Sequence, residues 1–166
     1  INKILNVIKL RKTHNNIMRP GLGVGGYCLT KDPLFAYLSN KKFFKGKKNN
    51  FEISRSAIRI NRKMPEFTFK IVERLLKNKK NPKVAVFGIT YKEDVGDMRF
   101  SPSKILIEKM EKKNFKVDVF DPLVEKLPIN LKAQLNLKFN YNKYDLIIFV
   151  VKNSFIKKIN FKKFNN

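Results

Sequence analysis

KVAVFGITYKEDVGDMRFSPS, residues 83–103, sets out a strand, a loop and a helix start in one run. Residues 83–89 are apolar and rich in β-branched side chains, the pattern of a short buried strand. Residues 90–100 are polar and carry no hydrophobic period, as a loop does. Ser101-Pro102 then pairs an N-cap residue with proline at the first helical position. The helix that follows should run to about residue 113. Downstream, KVDVFD at 116–121 and YDLIIFVV at 144–151 read as two more strands, and NSFIKKI as one more helical turn. Strands that alternate with helices imply a parallel sheet with right-handed crossovers.

The texture upstream is different. Residues 1–12 read as helix, with Ile1, Ile4, Leu5 and Ile8 on one face and no capping residue before it. That pattern resembles the middle of a helix and points to the C-terminal part of a longer protein. HNNIMRPGLGVGG, residues 14–26, has four glycines, a proline and no period, so it is a loop. Asp32-Pro33 reads as a cap and first position for a helix through LFAYLSN. Residues 41–50 form a basic loop. Residues 51–78 are helical, with a break or restart expected at Met64-Pro65. KNKKNP at 77–82 reads as a linker. The expected class is α/β: a helical remnant of a central domain at 1–79, then a small Rossmann-like, three-layer domain with a short parallel sheet at 80–166.

Composition narrows the function. There are 37 Lys and Arg against 13 Asp and Glu, a formal charge of +24. Such a balance suggests nucleic acid, and a basic nucleic-acid-binding module is the alternative reading. The lysines are scattered along the whole chain rather than striped along one helix. That favours solvated decoration and a weaker attraction to anionic ligands such as nucleotides. One Cys and one His exclude an intrachain disulfide and the usual Cys/His zinc site. The single Cys points to a reducing cytoplasm. No apolar run approaches ~20 residues, so no transmembrane span is expected, and no signal peptide is recognisable. Fifteen Phe suggest a partly aromatic core.

GLGVGGYCLTKD, residues 21–32, holds a formal G-x-G-x-x-G at Gly21, Gly23 and Gly26. A dinucleotide loop needs a strand before the glycines and a helix directly after them. HNNIMRP precedes them and YCLTKDP follows, so the context is missing. A second reading makes the glycines permissive backbone beside a ligand, presenting Cys28 near Lys31 and a helix start, where a thiolate is favoured. Asp32 would cap that helix or act on a water. The plain alternative is that Cys28 is a small buried apolar residue and Lys31 a solvated charge.

The same residues resemble the UDP-glucose/GDP-mannose dehydrogenase family. Its active-site loop carries G-x-G-G-x-C-x-x-K-D, matched by residues 23–32. Its C-terminal domain carries a strand ending in Gly, then [FY]-K-x-x-x-x-D-x-R-x-S-P, matched by Gly88, Tyr91, Lys92, Asp97, Arg99, Ser101 and Pro102. KVDVFDP and YDLIIFVVKNSF match its next strands, and INRKMP matches the connecting helix.

The resemblance implies oxidation of the C6 alcohol of a UDP- or GDP-sugar to a carboxylate by two NAD+ in succession. By this resemblance Cys28 is the nucleophile, Asp32 helps activate water, and Lys31 supplies charge near the oxyanion. Gly23, Gly25, Gly26, Tyr27, Tyr91 and Lys92 face the nucleotide sugar. Arg99 reaches the cofactor, and Arg11 resembles, at looser spacing, an arginine that contacts a neighbouring subunit's substrate. On local grounds alone, Asp97 and Arg99 could equally form a loop ion pair, and Ser101 serve only as a cap. The resemblance places the NAD-binding domain and a catalytic Lys and Asn upstream of residue 1, and a last strand beyond INFKKFNN. It implies at least a homodimer, no metal, and no turnover by this chain alone. Lys31 resembles the UDP-glucose branch. NIMRPGLGVGG and Asp32-Pro33 resemble the UDP-N-acetylhexosamine branch, toward which the reading leans.

Overall fold

A computed structural model describes residues 1–17, 19–45 and 51–160. Strands β1 (Lys83–Phe87) and β2 (Lys116–Phe120) pair in parallel, joined by helix α4 (Pro102–Lys112). Strand β4 (Leu146–Phe149) pairs with the other edge of β1, and β3 (Gln134–Leu135) with the far edge of β2. The sheet order is β3-β2-β1-β4, and all three pairings are parallel. The parallel α/β expectation holds. The two-residue β3 was not foreseen.

Alternation along each strand divides the core. Val84, Val86, Val117 and Val119 face the helices, together with Leu106, Ile107 and Met110 of α4. Ala85, Phe87 and Phe120 point the other way. That second face is covered by aromatic side chains from loops rather than by an α-helix. Phe87 stacks on Phe120 at 4.8 Å, and Phe139 meets both edge-on at 4.9 and 5.2 Å. The expected last helical turn is present as a 3₁₀ turn at Ser154–Lys158, which brings Phe155 to this face. Tyr144 donates its hydroxyl to Asp118 at 2.7 Å. Its phenol is held well above the ordinary value, first by burial and then by that bond.

Helix α3 (Glu52–Leu75) runs without interruption through Pro65, against the expected break. Proline removes one helical N–H and crowds the carbonyl four residues back, that of Asn61. Burial holds the helix together here. Ile58, Pro65, Phe69 and Val72 lie on one face, and Phe69, Val72 and Leu76 share the core of the sheet. Ion pairs Lys109–Glu66 and Lys113–Glu73 flank the α3–α4 seam.

The amino-terminal segment differs from expectation. Helix α1 (Asn2–Ile8) stops short of residue 12, and a 3₁₀ turn at Lys12–His14 follows. Only Leu5 of its apolar face is buried, and Ile1 and Ile4 stand out to solvent. A helix without burial on its later turns has little to prolong it. Arg19 ties the loop back to α1 through Asn2 and Asn6. Asp32 does not cap α2 (Phe35–Phe43). Its carboxylate is taken by Lys31, and Asp32–Leu34 forms a 3₁₀ turn instead. Helix α2 continues into the stretch expected to be a basic loop, of which residues 46–50 lie outside the described residues. So do residues 161–166 at the expected end of the last domain.

Two stability outcomes are expected. Ile107 is fully buried, so Ile107→Ala should cost about 2–5 kcal/mol in urea unfolding. Asp145 accepts from the backbone N–H of Lys83 and pairs with Lys79, and these hold its carboxyl below the ordinary value. A depressed carboxyl stabilises above its unfolded pKa, about 4, and that contribution drains as pH falls further. Asp145→Asn should therefore be less stable than the parent chain at pH 7, with the two urea midpoints converging as the pH falls below the ordinary carboxyl range. A gap that stays constant with pH contradicts this.

Candidate functional site

The carboxyl ends of the parallel strands meet at one buried side chain. Asp121, directly after β2, is fully buried. Its Oδ2 accepts from the Ile89 N–H at 2.9 Å and, at longer range, from the Thr90 N–H and hydroxyl and from Asn153. Oδ1 accepts from the Leu123 N–H. These donors compensate the burial of a carboxylate. Asn153 in turn accepts the Asp94 N–H at 2.8 Å, and Asp94 accepts the Ser154 N–H at 2.7 Å. The Ser154 bond holds the Asp94 carboxyl below its ordinary value.

The loop after β1 is thereby pinned from both sides. It leaves the sheet at Gly88, whose φ is +93° and where a side chain would strike Val151. It closes on itself by the Tyr91 N–H to the Asp97 carbonyl at 2.9 Å. Asp97 and Arg99 form the local ion pair, with Nε and Nη2 of Arg99 on the carboxylate. This pairing lowers the Asp97 carboxyl and raises the guanidinium. Ser101 caps α4 by accepting the Ser103 N–H.

The glycine loop rests on this second loop. The Gly26 N–H donates to the Arg99 carbonyl at 2.9 Å. Gly25 and Gly26 are buried against Tyr91: a Cβ on Gly25 would lie 2.5 Å from the Cβ of Tyr91 and 2.9 Å from the Phe100 carbonyl oxygen. These glycines are demanded by packing of one loop on the other. Tyr27 and Phe100 sit ring to ring at 6.0 Å. Helix α3 holds the loop from below, where the Asn61 side chain bonds both the N–H and the carbonyl of Val24 at 2.7 Å.

Cys28 stands exposed on this platform, which removes the reading of a small buried apolar residue. Its carbonyl accepts the N–H groups of Lys31 and Asp32, tightening the turn. The Lys31 ammonium is not merely solvated. It pairs with Asp32 and lies 4.4 Å from the Tyr27 ring centroid and 4.7 Å from that of Phe35. The Asp32 bond raises its pKa first, with smaller contributions from Tyr27 and Cys28, and Cys28 contributes to Arg99 as well.

Cys28, Lys31, Asp32, Tyr27, Gly25, Gly26, Tyr91 and Arg99 are brought together. Gly23 lies against Asn61 and Pro102. Lys92 is exposed on the same loop as Tyr91, and Arg11 is exposed after α1, with no side-chain hydrogen bond or ion pair to the loop among the described residues. A cleft of about 640 Å³ between α2 and α3 and another of about 610 Å³ at the opposite end of the sheet contain none of these residues. Among the described residues no group of three His, Cys, Asp or Glu could hold a metal, and no helix is long and apolar enough to cross a membrane.

The sequence pattern of the UDP-glucose/GDP-mannose dehydrogenase family, UDP binding domain, matches residues 85–166. The chain belongs to this family. A UDP-N-acetyl-D-mannosamine dehydrogenase of Methanococcus vannielii is 41% identical over 123 residues, which cover 72% of this chain and 27% of that protein. The enzyme of the same name from Methanococcus aeolicus is 32% identical over 164 residues, 96% of this chain and 34% of its own. The structure of a UDP-D-ManNAc dehydrogenase from Pyrococcus horikoshii superposes with a TM-score of 0.68 at 29% identity, covering 96% of this chain and 37% of that one. The chain therefore spans about a third of the length of the curated relatives it matches.

Sequence reasoning missed Asn61 and Asp121. Each carried a signal: an asparagine four residues before a mid-helix proline, and an Asp-Pro at a strand end. The glycines give a direct test of the loop packing. Gly25→Ala should cost about 1–3 kcal/mol in urea unfolding. Gly21→Ala, with nothing near its Cβ, should stay within about 0.5 kcal/mol of the parent chain. Equal costs contradict the docking of the two loops.

Proposed function

We propose that this chain is the part of a nucleotide-sugar 6-dehydrogenase that supplies the nucleophile and the nucleotide-sugar side of the active cleft. The observation that carries it is the meeting of the two sequence motifs. Gly26 bonds to the Arg99 carbonyl and Tyr91 lies beneath Gly25 and Gly26, with Cys28 exposed beside them. On this reading residues 1–79 belong to a central helical domain and residues 80–166 to the UDP-sugar-binding domain.

Cys28 Sγ adds to the C6 aldehyde carbon and gives a thiohemiacetal, so the aldehyde does not escape. Loss of the C6 hydride, which bound NAD would accept, and of the hydroxyl proton to solvent would convert it to a thioester, just as an earlier loss of one hydride and one proton would make the aldehyde from the C6 alcohol. Water attacks the thioester carbonyl, Asp32 takes the proton, and the C–S bond breaks to release the carboxylate and the thiol. Lys31 holds Asp32 as a partner and places positive charge by the developing oxyanion. Gly23, Gly25, Gly26, Tyr27, Tyr91 and Lys92 form the face toward the nucleotide sugar, and Arg11 serves the site of a neighbouring subunit in a homodimer or larger assembly. NAD, when bound, supplies the hydride acceptor. This chain fits it at an edge: Arg99 uses Nε and Nη2 for Asp97, and Nη1 of its exposed side chain is left for a phosphate or ribose. The names of the relatives favour an N-acetylated UDP-sugar over UDP-glucose.

In the full-length enzyme, Cys28→Ala should abolish uronic acid formation while nucleotide-sugar binding by calorimetry persists. Acid formation by that variant contradicts the nucleophile assignment. A panel of UDP-N-acetylmannosamine, UDP-N-acetylglucosamine, UDP-glucose and GDP-mannose should show the highest kcat/KM on an N-acetylated UDP-sugar. Strict preference for UDP-glucose would overturn that choice. The 166-residue chain alone should produce no NADH from any of them.

A further inference from the structure

Helix α3 carries one side chain that has been given no role in binding or chemistry and that grips the cysteine loop. Asn61 donates its amide to the Val24 carbonyl and accepts the Val24 N–H, both at 2.7 Å. Pro65, four residues on, has no N–H to give the Asn61 carbonyl. That carbonyl lies 3.6 Å, and the Asn61 side-chain oxygen 3.2 Å, from where a Cβ on Gly23 would sit. The backbone carbonyl and the side chain of Asn61 thus approach the glycine loop together. The proline is buried, and α3 continues on both sides of it. Residues 23–24 lie against Asn61 at this point of the helix.

The consequence reaches Cys28. From Val24 the chain runs through Gly25 and Gly26, which are wedged on Tyr91, to Tyr27 and Cys28. One end of this short span is fixed by Asn61 and the other by the Gly26–Arg99 hydrogen bond and the Thr30 hydroxyl on the Gly26 carbonyl. Asn61 touches neither the thiol nor any group proposed to react.

We infer that Asn61 is a positioning residue: through its paired bonds to Val24 it sets the reach of the Cys28 nucleophile from α3. The inference rests on the proposed role of Cys28. It predicts a loss in the acid-forming step with little loss in nucleotide-sugar binding, because a misplaced nucleophile costs rate more than affinity.

The test uses Asn61→Ala and Asn61→Asp. The aspartate keeps the acceptor for the Val24 N–H and loses the donor. In the 166-residue chain, amide exchange at Val24 and Gly26 should accelerate about tenfold or more in Asn61→Ala and less in Asn61→Asp. Amides of β1 and β2 should exchange as before. In the full-length enzyme, kcat for acid formation should fall about tenfold or more in Asn61→Ala, with KM for the nucleotide sugar within about twofold, and Asn61→Asp should recover part of the loss. Unchanged loop exchange, equal acceleration in the sheet, or a rise in KM at constant kcat each overturns the inference. Should Cys28→Ala still form acid, the nucleophile assignment falls, and with it the catalytic part of this inference. The exchange data would still report whether Asn61 holds the loop.

Discussion

A carboxylate buried at the end of a strand governs the geometry of the site. Asp121 gathers the Ile89 and Thr90 N–H groups beyond β1, the Thr90 hydroxyl, and the Asn153 amide. A buried anion is costly unless hydrogen bonds replace its water, so the segment after β1 must run where those donors can reach it. That course determines where Tyr91 sits, and Tyr91 determines where Gly25 and Gly26 can lie. Four links, each short and specific, connect the sheet edge to Cys28. The linkage uses no disulfide and depends little on surface ion pairs, which contribute modestly in water.

The long helix adds the second constraint. Its buried face joins the sheet core through Phe69, Val72 and Leu76, while Asn61 further up the same helix holds Val24. One rigid element therefore refers the cysteine loop to the same core that anchors the Asp121 network. Two loops far apart in sequence are brought into register by a helix and a sheet that pack on each other. Such placement on a scaffold suits a site whose reacting atom must be set within a fraction of an ångström.

Features written locally were readable from sequence. The β-branched runs announced the three main strands: β1 and β2 are buried on both faces, and β4 is half-buried up to the exposed Phe149. Ser101-Pro102 gave the start of α4 because capping is a matter of neighbouring residues. The same rule failed at Asp32-Pro33, where Lys31 competes for the carboxylate and the helix starts at Phe35. It failed again at Pro65, where tertiary burial outweighs a missing hydrogen bond. Strand β3 is two residues long and is defined only by its partner β2, so nothing local announces it. The motif residues around Cys28 were named from resemblance. Their support, Asn61 and Asp121, became visible only once distant segments were brought together.

The central claim is that residues 21–32 and 88–103 form one nucleotide-sugar surface around Cys28. Hydrogen exchange of the full-length enzyme with and without a UDP-N-acetylhexosamine, in the absence of NAD, tests it most directly. The account predicts that both stretches gain protection together, at the same ligand concentration, while the cleft between α2 and α3 does not change. Protection confined to one stretch, or centred on that cleft, would contradict it.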